Sequence, residues 1–323
     1  MKLLKLIPDD TNIRFLRWRV PFYTISLLLM AASLALVFTK GLNLGVDFVG
    51  GQMIRVTFTE SASAPLAKVR QEIDALGYGE PIIQQVGAPN KIAIRMKLPD
   101  SENTALTDKM VREIRASVEQ NHADARIDGV EAVSGKVSQE LFRTGMIALA
   151  LAMLGISIYI WVRFEWQFGI GALFALAHDV TLTLGMFALT GMEFDLNIVA
   201  ALLTLIGYSL NDTIVIYDRI RENLKKYRKM PLPELLDLSV NETLSRTVVT
   251  SSSVLITLVA LLVFGPDVIF GFTAAITLGI FVGTYSSIYM SAPILIWLGV
   301  RSDSFVPSES AVDRQERKAR GEA

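Results

Sequence analysis

Leu205-Ile206-Gly207-Tyr208-Ser209-Leu210-Asn211-Asp212-Thr213-Ile214-Val215-Ile216-Tyr217-Asp218-Arg219 decides how this chain is read. With the apolar run from Ile198 to Ile206 leading into it, most of the stretch reads as a membrane-spanning helix. Asn211 and Asp212 nevertheless sit inside the span, about one and a half turns before the charges that end it. A carboxylate at the centre of a span costs about 2.5–3.5 kcal/mol on insertion scales. Such a group faces protein or water and takes a partner.

Composition agrees with a membrane protein that carries a soluble part. Of 323 residues 51% are hydrophobic, and the mean hydropathy is +0.42. A net charge of −1 gives no bulk attraction to nucleic acid. The lack of cysteine excludes disulfides, thiol catalysis and thiolate metal sites. His122 and His178 are the only histidines, which argues against a multi-histidine metal centre.

Working outward, the apolar runs predict six spans: 21–38, 145–162, 168–190, 197–217, 248–264 and 272–298. The run 21–38 is too long for a signal-peptide core and lacks an obvious cleavage site, so it reads as a retained helix. Residues 39–140 are polar. Met53–Thr59 alternates, Leu66, Val69, Ile73 and Leu76 make a helical stripe, and Pro81–Val86 is a short strand. Ile92, Ile94, Met96 and Leu98 alternate, Leu106, Met110, Ile114 and Val118 make a second stripe, and Ile127, Val130 and Ala132 a weak last strand. The order βαββαβ predicts an α+β ferredoxin-like domain. In the 218–247 segment, Leu232, Leu235, Leu236, Ser239, Val240, Thr243 and Leu244 recur at helical spacing, as an interfacial helix or an ordinary amphipathic connector would.

Six spans put both termini on one side. The N-terminal 1–20 segment holds five Lys and Arg, the 218–247 loop seven and the 301–323 tail five, whereas the short 191–196 and 265–271 loops hold none. The positive-inside rule therefore predicts cytoplasmic termini and an outer 39–140 domain, periplasmic in a bacterium.

Asp179, Asp212 and Arg246 are the ionisable groups in or beside the spans, and His178 adjoins the first. Asp179 lies about 16 Å from the cytoplasmic end of its helix, near the midplane, and Asp212 about 9 Å inside the boundary. Arg246, at the start of the next span, could reach Asp212. Pairing favours an ionised carboxylate and burial a protonated one, so the pair could bind and release a proton, or be a static packing device. Gly171, Ala175 and Asp179, like Gly279, Gly283 and Ser287, form small-residue faces for close helix approach. Gly41-Leu42-Asn43-Leu44-Gly45-Val46-Asp47-Phe48-Val49-Gly50-Gly51 reads as a structured hinge, with Gly45, Asp47, Gly50 and Gly51 its key positions.

Four motifs carry a resemblance. They are Gly45-Val46-Asp47-Phe48-Val49-Gly50-Gly51; Ala177-His178-Asp179; Ser209-Leu210-Asn211-Asp212-Thr213-Ile214-Val215 leading to Tyr217-Asp218-Arg219-Ile220-Arg221-Glu222-Asn223; and Asn241-Glu242-Thr243-Leu244-Ser245-Arg246-Thr247. In these the chain resembles the SecF family, the smaller subunits of the SecDF protein-export complex, within the RND-type transporter superfamily. The resemblance implies half of an RND-type transporter in the bacterial inner membrane. It implies a heterodimer with SecD that uses the proton gradient at the SecYEG channel to promote preprotein export and release, and it leaves room for YidC and YajC beside them. It implies Asp212 as the proton-linked aspartate and Arg246 as its partner, with Asn211, His178 and Asp179 as supporting polar groups. No metal, nucleotide or other cofactor is implied.

Other classes remain on the table. An intramembrane aspartyl protease could use two aspartates on adjacent helices. The Gly-x-Gly-Asp motif expected there is replaced by Ser209-Leu210-Asn211-Asp212. A passive channel scaffold and a half-size RND exporter of lipids or drugs are the further alternatives.

Overall fold

The computed structural model describes residue 8 and residues 11–96 and 104–300. The 301–323 tail, most of the first ten residues and the end of the third predicted strand lie outside them.

Among the described residues, six helices are long and apolar enough to cross a membrane. A 3-10 turn at Phe15–Trp18 runs into α1, Arg19–Thr39. After the outer domain come α5 (Gly135–Arg163), α6 (Trp166–Thr190), α7 (Leu196–Lys226), α8 (Leu232–Phe264) and α9 (Phe270–Ser286). A π-helical segment, Ser287–Ser291, joins α9 to α10 (Ala292–Trp297), and the three together make the last span. In the most apolar windows of α6, α7 and the last span, half or more of the residues are buried, against fewer than one in five for α1, α5 and α8. The first three therefore form the protein-packed centre, and the others face outward with Leu28, Leu151, Val162, Ile256 and Phe264 exposed. These side chains suit lipid.

The outer domain follows the predicted βαββαβ order: β2 (Gly51–Phe58), α3 (Leu66–Asp74), β3 (Ile82–Gln85), β4 (Lys91–Met96), α4 (Thr104–Asn121) and β5 (Ala125–Val133). The sheet order is β3-β4-β2-β5, antiparallel throughout, which is the split βαβ arrangement. Ile54 stands beside Ile94, and Ile94 beside Ile83, so one sheet face is continuous. That face meets Val69 and Ile73 of α3 and Met110, Ile114 and Val118 of α4 in one apolar core. The last strand, weak by pattern, is the longest. Its pairing with β2 and the bonds of Thr57 and Arg126 to Asp128 hold it, and local alternation reports neither.

Two boundaries differ from the sequence pattern. The pattern separates a 218–247 loop from its flanking spans, but α7 runs on to Lys226 and α8 is continuous from Leu232 through Phe264. No glycine or proline interrupts α8 after Pro233, so the 232–244 stripe, read as an interfacial helix or an amphipathic connector, belongs to the same helix as the fifth apolar run. Its Leu235, Leu236, Val240 and Leu244 are buried with Leu16, Ile220 and Leu224. Asn223 donates to Ser239 (3.0 Å) and Glu242 (2.7 Å), closing the hairpin. The second difference is the start of α5 at Gly135, ten residues before the apolar run of that span.

Candidate functional site

Asp179 sits in the protein-packed centre and is fully buried. Its Oδ1 lies 2.9 Å from His178 Nδ1, and its Oδ2 accepts from Ser209 Oγ of α7 (2.6 Å) and Ser286 Oγ of α9 (2.8 Å). One carboxylate thus ties three helices together. Gly283 makes room for it: a Cβ there would stand 3.5 Å from Asp179 Oδ2 and 3.2 Å from Ser209 Cβ. The two small-residue faces do serve close approach. Added Cβ atoms at Gly171 and Gly279 would fall 2.3 Å from the Tyr217 hydroxyl and from Leu205 Cδ1 respectively.

Asp212 is only 4% exposed, and its Oδ2 has no hydrogen-bond partner among the described residues. Arg246 acts on it as a nearby charge, yet no salt bridge joins the two. The contact that the sequence spacing predicts is replaced by Ser251, which lies beside Asp212. The reason is helical phase. Ser251 faces α7, and Arg246, five residues earlier, points about 140° away on α8. Arg246 is accordingly exposed, and so is Asn211. Around them Thr204 and Gly207 of α7 and Ser253 and Thr257 of α8 are also exposed, giving a polar and small surface at membrane depth.

The last span is irregular beside this centre. Pro293 cannot donate a backbone bond, and the preceding π-helical segment leaves carbonyls free. Tyr23 of α1 donates to Met290 O (2.6 Å) and Tyr217 of α7 to Ser291 O (3.2 Å). Neither tyrosine is marked by sequence periodicity as polar machinery.

The Gly45–Gly51 segment is a fastened corner. Asn43–Leu44 (β1) pairs in parallel with Glu193–Phe194 (β6), and Gly45 N donates to Phe194 O at 2.8 Å. Val46–Val49 forms one helical turn, α2. Asp47 accepts from Leu196 N at 3.1 Å, at the start of α7, beside the Asp195 cap on Ile198 N. Gly50 has φ +74°, and a Cβ would meet Gly135 Cα at 3.1 Å. Above it, Glu193 is reached by two arginines of the sheet, Arg95 at 3.2 Å and Arg55 at 4.0 Å. Burial pushes the Glu193 carboxyl up, against the opposing pull of Arg95 and Arg55. A cavity of about 180 Å³ opens between Asp47, Arg55, Glu131, Glu193 and Asp195. The acidic 191–196 loop is thus the dock between outer domain and membrane part. Two-residue strand pairing leaves no periodic signal, though Asp195 before an apolar run was a legible helix cap.

The family model for the SecD/SecF protein export membrane protein C-terminal region matches residues 113–301, and that for the SecD/SecF GG motif matches 35–62. The protein translocase subunit SecF of Cereibacter sphaeroides is 46% identical over 304 residues, 92% of this chain and 93% of that one. The chain belongs to the SecF family of protein translocase subunits. The SecF of Vibrio alginolyticus is 39% identical over 95% of this chain and 96% of its own. Among solved structures, the crystal structure of SecDF, a translocon-associated membrane protein from Thermus thermophilus, superposes with a TM-score of 0.79 at 35% identity. That match covers 91% of this chain and 39% of the SecDF chain. The chain is therefore a multi-pass membrane subunit of the Sec translocase, from a family named for translocation and not for a catalysed reaction.

Proposed function

We propose that this subunit couples proton movement across the membrane to preprotein export and release, with Asp212 as the proton-carrying group. The observation that carries the reading is Asp212 itself, buried at membrane depth with one oxygen unpartnered, beside a surface that exposes Asn211 and Arg246. An exposed arginine and amide in lipid are costly, so a partner or water covers them. SecD is that partner in this reading. The SecDF chain of Thermus thermophilus is about two and a half times the length that this chain matches, which leaves room for a second half of the transporter. The complex works at SecYEG, with YidC and YajC as further neighbours, and needs no cofactor beyond the gradient. In the covered complex Arg246 turns toward Asp212 and serves as its charge partner. Movement of the outer domain would start at the Gly45–Phe194 and Asp47–Leu196 bonds, which hold the corner shut.

The test is preprotein release from spheroplasts depleted of this subunit and then resupplied, with and without a proton gradient. Gradient-dependent release should fall on depletion and return on resupply. Equal release in depleted and resupplied cells removes the proposal.

Orientation is checked separately. Ser63 is exposed on the outer domain and Lys229 lies in the α7–α8 turn. Because the chain has no cysteine, Ser63→Cys and Lys229→Cys give single labels. A membrane-impermeant maleimide should label Ser63→Cys in intact spheroplasts and spare Lys229→Cys until the membrane is opened. The reverse pattern would invert the topology.

A further inference from the structure

His178 is fully buried, and its Nε2 has no hydrogen-bond partner among the described residues. Its Nδ1 is held 2.9 Å from Asp179 Oδ1. The two serine hydroxyls on Oδ2 act as donors, which suits a carboxylate that receives three bonds. A buried, half-satisfied imidazole is costly in a static packing element. Asparagine would donate to Asp179 as well and leave no stranded ring nitrogen.

We propose that His178 and Asp179 form a second proton-transfer unit, with Nε2 as its open end; this rests on the proton-coupling reading above. The step balances within the pair. A proton taken up at Nε2 makes the imidazolium, and the Nδ1 proton then passes to Asp179 Oδ1. The ring is left neutral with its proton on Nε2, and the carboxyl is neutral. The reverse step returns the ring to the Nδ1–H tautomer. The pair therefore carries one proton without a net charge on the histidine in either resting form.

The surroundings allow this and do not compete. From α9, the Tyr285 ring centre lies 6.2 Å from that of His178, and its hydroxyl is bonded to Ser26 (2.8 Å) and Phe22 O (3.0 Å). From α1, Tyr23 is committed to Met290 O. Tyr289 of the π-helical segment packs against Tyr285 in a tilted ring pair, and α7 contributes the non-titrating Ser209. Among the described residues the pair's only salt-bridge partner is within itself. Ser26 is buried on α1 and lies seven residues before Ser33, as His178 lies seven before Gly185. Gly185 touches Ser33, so two turns along the same faces the Ser26–Tyr285 hydroxyls stand at the level of His178. These hydroxyls are polar groups from which a proton could reach Nε2.

The chain's two histidines make the test direct. The full-length protein in its native complex, labelled with 15N-histidine and placed in lipid bilayers, gives imidazole signals from His122 and His178 alone. His178→Asn identifies the second. Across a pH series the His178 signals should exchange the Nδ1–H tautomer for the Nε2–H tautomer, and Asp179→Asn should abolish that exchange. In release assays His178→Asn should stay in the complex and lose at least tenfold of the gradient-driven rate. A His178 spectrum without that exchange, an exchange indifferent to Asp179→Asn, or full gradient-driven release by His178→Asn would each overturn the proposal. The spectrum is read without preprotein or gradient, so its failure is distinct from failure of the coupling reading, which Asp212 decides.

Discussion

Asp212→Asn should leave the subunit folded and assembled while abolishing the gradient-dependent part of preprotein release. Asparagine matches aspartate in shape, so the α7–α8 contact at Ser251 is kept. The change removes the group that can exchange a proton and nothing else of comparable size. Insertion should even become easier, because an amide costs less than a carboxylate in the span. The expected outcome is normal abundance, normal co-purification with SecD and release at the rate measured without a gradient. Arg246→Met should give a related loss. That change removes the charge partner proposed for Asp212. Arg246→Lys keeps a cation but not the planar fork, so partial recovery is expected. If Asp212→Asn releases preprotein with the full benefit of the gradient, the residue is structural and the coupling site lies elsewhere.

Gly185→Leu should prevent stable packing of α1 on α6. An added Cβ at Gly185 would lie 2.2 Å from Ser33 Oγ, 2.4 Å from Ser33 Cβ and 2.9 Å from Ser33 Cα. The last is backbone, so rotating a side chain does not relieve the clash and the helices must separate. Overpacking of this kind costs about 1–3 kcal/mol in soluble cores. Separation would also disturb the Tyr23 bond to Met290 and the Ser26–Tyr285 pair, which hold α1 to the last span. The expected result is a melting temperature in detergent lower by roughly 5 °C or more, with loss of the monodisperse species on gel filtration. Gly185→Ala should show a smaller drop of the same sign. Gly155→Leu is the control, since Gly155 is exposed on α5 and has nothing within 4 Å of a Cβ. A Gly185→Leu protein as stable as that control would show that α1 is not held by this contact.

Much of the architecture was decided by the sequence alone. An 18-residue uncharged run needs no tertiary partner to select a membrane, because lipid itself rewards it. The alternation of Ile54, Val56 and Phe58 and the stripe of Met110, Ile114 and Val118 likewise report a face that must be buried, whatever covers it. Asp179 and Asp212 were legible for the opposite reason, since a carboxylate inside such a run is too costly to be incidental. What each one meets was settled by tertiary structure. Helix phase turned Ser251 and not Arg246 toward Asp212, and no spacing within one helix fixes the rotation of its neighbour. Packing of α6 against α7 and α9 delivered Ser209 and Ser286 to Asp179 from 30 and 107 residues away. The continuity of α8 also belongs to the fold. Its first turns are amphipathic by sequence, and the α7 hairpin decides that their apolar side covers Ile220 and Leu224 instead of lying on lipid. The dock between outer domain and membrane part is the clearest case. Two residues of parallel pairing at Asn43–Leu44 and Glu193–Phe194 are too short to leave a pattern, and they exist only because the folded halves bring them side by side.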